Sequence, residues 1–242
     1  DKWVIDIGLR AQYYASLAEF SPEPRIAVKY NLSDNVRLKA SAGLYSQNLM
    51  SATSDRDVVN LFYGFISSPS SLPKYFKGEE VHSRLQKSQH VIFGVEYDPI
   101  KHLTLNVEGY YKDFRQLTSM NRNQVFSSEE APAGTPEIEM KDFMVESGDA
   151  YGLDISIKYD SHRWYLWGAY SLGYVSRNFE DAEGEIHTYR THYDRRHNVN
   201  LLATYTAGAK NQWEISARWN FGTGFPFTKV TGFYEELPYD NI

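Results

Sequence analysis

The chain has 242 residues, 42% of them hydrophobic, with a net charge of -6 and no cysteine. That charge disfavours a nucleic-acid partner, whose phosphates need a basic face, and the lack of cysteine removes thiol catalysis and disulfides. A mean hydropathy of -0.53 fits no helical membrane span, which needs about 20 consecutive apolar residues, but leaves room for a barrel, whose strands need one only at every second position.

Taken in chain order, period-two alternation predicts nine strands, at 2–14, 24–32, 35–47, 88–98, 102–117, 142–159, 163–177, 195–206 and 211–222. Val36, Leu38, Ala40, Ala42 and Leu44 fall on one parity, with Arg37, Lys39, Ser41 and Tyr45 on the other. Successive strand side chains point to opposite faces, so each run has one apolar and one hydrophilic face. Leu103, Leu105 and Val107 repeat the pattern against Thr104, Asn106 and Glu108. In 163–177 aromatic residues fall on both parities, and the outward set is read as Trp164, Leu166, Tyr170 and Leu172.

The connections alternate in length. Short turns at 33–35, 98–101, 160–162 and 207–210 alternate with a moderate connection at 15–23 and long ones at 48–87, 118–141 and 178–194. All short turns then lie at one end of the sheet, the arrangement of an up-and-down outer-membrane barrel with periplasmic turns and extracellular loops. Tyr30, Tyr97, Tyr159 and Tyr205 each precede a short turn on apolar parity, as a periplasmic aromatic girdle requires. Within the first long loop, 55–66 reads as a short helix. Nine strands leave two open edges, which lipid does not tolerate, so the expected fold is an incomplete all-β, antiparallel transmembrane barrel.

Several motifs carry a family resemblance. Ser21-Pro22-Glu23-Pro24-Arg25 before Ile26–Tyr30 resembles the "EPR" start of a barrel strand in TonB-dependent outer-membrane receptors. Gln89–Tyr97 with Leu103–Tyr111 is similar to that family's "GVEY…EGYYK" strand pair, and Gly148–Lys158 to its "GxAxGLEL" strand. Asp194-Arg195-Arg196-His197-Asn198 and Gly222–Thr228 match two further landmarks, in the family's order. The resemblance implies that 1–242 is part of the C-terminal half of a large plugged barrel, with the plug domain and the last strands outside this chain. It implies a receptor in the outer membrane of a Gram-negative bacterium that imports a scarce nutrient (an iron chelate, a glycan or a peptide) without catalysis or cofactor. The implied partners are outer-membrane lipid, TonB through a preceding N-terminal region, and a surface lipoprotein.

Tyr45, Gln47, Tyr110, Lys112, Phe114 and Asn220 share luminal parity near the extracellular strand ends, where rings and directed polar groups suit an incoming ligand. Two readings compete with transport. A soluble antiparallel β protein that binds glycans would have shorter strands and no strict loop alternation. A barrel enzyme would need hydrogen-bonded acid and base at the rim, for which Asp194 and His197 are the candidates. His187, His192 and His197 are five residues apart, an odd spacing that separates faces of a strand, so no metal site is expected there.

Overall fold

The computed structural model describes residues 2–51, 64–67, 69, 72–121, 124–127 and 129–227. Nine long strands form one antiparallel meander: β1 (Trp3–Tyr14), β2 (Glu19–Asn31), β3 (Val36–Gln47), β8 (Gln86–Ile100), β9 (Leu103–Met120), β10 (Phe143–Asp160), β11 (Trp164–Glu180), β13 (His197–Ala207) and β14 (Trp213–Gly222). The loop between β3 and β8 carries β4 (Leu49–Ser51) paired with β5 (Phe65–Ser67), and β6 (Tyr75–Phe76) paired with β7 (Glu79–Glu80). A single helical turn, α1 (Glu137–Met140), lies between β9 and β10, and β12 (Ile186–Arg190) doubles back on the end of β11. Among the described residues β1 and β14 each have one neighbour, so the sheet they form is an open portion of a barrel wall.

The register carries the alternation across the whole wall. Trp3 faces Tyr30, Tyr30 faces Leu38, Leu38 faces Val95, Val95 faces Val107, and Val107 faces Ile155. The row continues through Tyr170, Val199 and Phe221, so one face is apolar from the first long strand to the last. Trp164, Leu166, Tyr170 and Leu172 all fall on it, as expected. This row starts beside a short turn at Tyr30 and ends near the opposite strand end at Phe221. That drift is the stagger of tilted strands that closing a barrel requires. Two ring pairs flank the short-turn end outside, Trp3 with Tyr30 at 4.3 Å and Trp164 with Tyr205 at 4.5 Å between centroids. The opposite face bears Arg37, which pairs with Glu96 and Asp98, and Lys39, which pairs with Glu96. Compensating charge of this kind belongs to a wet lumen.

Three sequence expectations need correction. The connection after β1 occupies only 15–18, because β2 starts at Glu19 and pairs with β1 along its full length. Pro22 and Pro24 can be in a strand because β2 meets β3 only from Arg25 onward, so the missing proline N–H groups break no ladder on that side. The helix expected at 55–66 lies outside the described residues except at its end, where Phe65–Ser67 is a strand rather than a helix. β8, β9 and β11 also outrun the prediction at the loop end, where they reach Gln86, Met120 and Glu180 and not 88, 117 and 177. β9 and β10 have 18 residues each, against about 9–11 needed to cross a bilayer, so their upper halves stand clear of the hydrocarbon.

The outward register sets an expected outcome. Arg at Ala40, Val107, Ile157 or Leu201 should cost about 2–4 kcal/mol near the midplane, whereas Arg at luminal Ser41 should be nearly neutral. Refolding titrations of these variants in lipid measure the difference, and equal costs on both faces would contradict the assigned faces.

Candidate functional site

Three luminal residues stack across neighbouring strands near the long-loop end. Tyr45 on β3 lies 4.3 Å from the imidazole of His90 on β8, with the planes 27° apart. His90 in turn meets Phe114 on β9 edge-on at 6.5 Å. The guanidinium of Arg25 on β2 sits 4.5 Å from the Tyr45 ring centroid, and the Lys112 ammonium lies 5.2 Å from the Tyr110 ring. The register explains this convergence, since Arg25 pairs with Gly43, Tyr45 with Ser88, His90 with Lys112, and Ser88 with Phe114. A β-bulge between Lys87 and Ser88 adjusts the β8–β9 register beside Phe114. Rings flanked by cations offer an anionic or π-faced ligand both flat contact and charge.

The six sequence candidates separate on this geometry. Tyr45 and Phe114 join the stack and Lys112 borders it. Tyr110 packs against the wall instead: a Cβ on Gly152 of β10 would lie 2.7 Å from its hydroxyl, and one on Gly173 of β11 would lie 3.2 Å away. Only glycine lets the ring lie flat across three strands there. Gln47 hydrogen-bonds the carbonyl of Leu49 at the strand exit. Asn220 lies on β14, with β10, β11 and β13 between it and β9, and accepts from Arg218 at 3.3 Å. Sequence reasoning missed His90 and Arg25. Luminal parity pointed to both, but the first sits inside a family landmark and the second in the "EPR" motif, which masked them as structural.

Buried carboxylates hold the wall together above this site. Glu23 is 1% exposed and accepts from the Ser46 N–H at 3.0 Å, the Ser46 hydroxyl at 2.8 Å, Gln12 at 3.1 Å and Arg25 at 2.9 Å. It takes over a backbone donor of β3 where β2 has stopped pairing. Asp194 does the same between β11 and β13, whose ladder ends at Leu172–His197 while β12 picks up only at Ser176. In that gap the Val175 N–H donates to Asp194 at 3.1 Å, and Arg196 clamps the same carboxylate at 2.8 Å. His197 is engaged elsewhere, with Nδ1 2.9 Å from the Tyr170 hydroxyl. The Asp194-to-His197 run thus joins a loop to a strand and forms no acid–base pair.

Of the three spaced histidines, His187 pairs with Asp181 at 2.5 Å and stacks on Phe179, whereas His197 belongs to Tyr170. Glu185 completes a group with Asp181 and His187, all exposed or half-exposed at the tip of a hairpin. The turn itself accounts for Asp181, which also accepts from the Glu183 and Glu185 N–H groups at 3.1 and 2.8 Å.

Two outcomes are expected from these contacts. Asp194→Ala leaves the Val175 N–H without its acceptor and Arg196 without its ion pair, and should destabilise the wall by about 1–3 kcal/mol in a refolding titration. The His187 hydrogen bond, aided by the Glu185 and Glu183 N–H groups, holds the Asp181 carboxyl below its ordinary value of 3.8. A depressed carboxyl stabilises the hairpin above the ordinary value and stops doing so as pH falls through the depressed one. Hydrogen exchange across 181–187 should therefore accelerate in acid, and Asp181→Asn should abolish that acid step.

The family model for the TonB dependent receptor-like β-barrel matches residues 1–238. No curated protein matches the chain by sequence. Among solved structures, a double mutant of the ferric enterobactin receptor PfeA from Pseudomonas aeruginosa is similar, with a TM-score of 0.52 and 12% identity. The match covers 86% of this chain and 28% of that one. A single mutant of the same receptor gives a TM-score of 0.40 at 12% identity, over 86% of this chain and 36% of that one. At such identity the likeness concerns the fold alone, and the chain spans less than a third of the first structure. The extent of the family match, the continuous apolar outer face and the alternating connections agree: this chain belongs to the TonB-dependent receptor family and forms part of its β-barrel.

Proposed function

We propose that this wall belongs to an outer-membrane receptor of a Gram-negative bacterium that captures a scarce nutrient and imports it at the expense of inner-membrane energy delivered through TonB. The family match supports the class, and the stack of Tyr45, His90 and Phe114 beside Arg25 and Lys112 carries the ligand assignment. Cations against rings favour an anionic small molecule with a planar face, such as an iron chelate, over a neutral glycan or a peptide. Among the described residues β1 and β14 pair on one side only, which supports a larger barrel, since hydrocarbon tolerates no open strand edge. A plug and a TonB-contacting segment would lie N-terminal to this region, and the long loops would offer a docking face to a surface lipoprotein. No covalent chemistry is assigned to the wall, because Asp194 and His197 have separate structural partners.

Binding of candidate nutrients to the full-length receptor tests the site. Tyr45→Ala, His90→Ala and Phe114→Ala should each weaken binding while the barrel keeps its heat-modifiable mobility, since a truncated ring loses its contacts outright. Tyr110→Ala should instead lower stability, because its ring fills the space over Gly152 and Gly173. A hydrolytic activity that vanished with His197→Ala would replace transport by an enzyme reading.

Topology supplies an independent check. Epitope tags within 121–142 or 181–185 should be reachable on intact cells, whereas tags at 32–35, 101–102, 161–163 or 208–212 should require permeabilised cells. A mixed result would reverse the assigned orientation.

A further inference from the structure

The outer face is not uniformly bulky. Gly168 on β11, Ala203 on β13 and Ala217 on β14 lie on consecutive strands of the sheet and share outward parity. Gly168 faces Ile157 on one side and Leu201 on the other, and Leu201 faces Trp219. Ala203 faces Leu166 and Ala217. Small floor residues between large walls leave a groove of about 630 Å³, within the range of about 300–1,000 Å³ typical of small-molecule sites. Its outward-pointing lining residues carry no charge.

The groove's position identifies what fills it. On β11 it begins just beyond Trp164, and on β13 just before Tyr205, the two rings that pack at 4.5 Å beside the short turns. Trp and Tyr settle where hydrocarbon meets headgroups, so the mouth is at that boundary and the floor runs into the hydrocarbon. The groove is continuous with the face that contacts lipid along the rest of the wall, and the medium there consists of acyl chains. We propose that the groove is a lipid site: it takes an acyl chain of a phospholipid from the leaflet at the short-turn side, with the ester region level with Trp164 and Tyr205.

The test uses the full-length receptor reconstituted in phosphatidylethanolamine vesicles that contain a trace of phosphatidylethanolamine with a photoactivatable diazirine on one acyl chain. After illumination, labelled positions are mapped by peptide mass spectrometry. Label should concentrate on Leu201 and Trp219 severalfold above the outward face of β1 at Ile5 and Ile7, which are 58% and 81% exposed. Gly168→Leu should bring the groove down to the β1 level. A Cβ there would come within 3.2 Å of Ile157 and Leu201, so Ala217→Leu serves as a second filling variant and decides the matter if the first does not fold. Equal labelling of groove and β1 in the unaltered receptor would overturn the proposal. Label that survives a folded filling variant would also overturn it.

Discussion

A strand wall in hydrocarbon can leave no backbone N–H or C=O unpaired, because nothing in the surrounding medium can replace a lost partner. In this chain the constraint is met by eight consecutive antiparallel ladders joining nine long strands. At three places where a ladder stops or shifts, a buried acid takes up donors left there. Glu23 receives the Ser46 N–H where Pro22 and Pro24 precede the start of β2–β3 pairing. Asp194 receives the Val175 N–H in the gap between the two partners of β11. Glu146, 1% exposed, sits at the register shift between β9 and β10, where Ser119 and Tyr189 donate to it at 2.9 and 2.7 Å. Each carboxylate also has a guanidinium within 4.0 Å, so its charge is matched where it is buried.

The same pairing controls what the lumen presents. Register decides which rings gather, and glycine decides which of them lie down. Tyr110 is drawn over Gly152 and Gly173 and becomes part of the wall, because no other residue there would leave room for its ring. Tyr45 covers Gly43 on its own strand, where a Cβ would lie 3.0 Å from its hydroxyl, yet it still offers a face to His90 and to Arg25. The candidate ligand surface is therefore what remains of the luminal aromatics after the wall has used some of them for packing.

The outer face follows the complementary rule. Its apolar parity is continuous from Trp3 to Phe221, and its small residues form a groove only because the stagger of β11, β13 and β14 brings Gly168, Ala203 and Ala217 together. In their own strands they are ordinary interruptions of an apolar run. Placed on neighbouring strands they become a shape.

Alternation by itself determined the strands, their faces, the short and long ends and the aromatic girdle, because side-chain direction in a strand has a period of two that any window of ten residues reveals. The order of the turns then left one plausible topology. What the sequence could not contain was register, since a shift of two residues keeps every side chain on its face while changing all of its neighbours. Register is why His90 joins Tyr45 and Phe114, and the gap left by the β11 ladders is why Asp194 meets Val175 and Arg196 and not His197, whereas Asn220 stands apart because three strands separate β14 from β9. The tertiary structure also decided that β2 begins at Glu19, because two prolines read as a loop until β1 alone is seen to pair with that stretch.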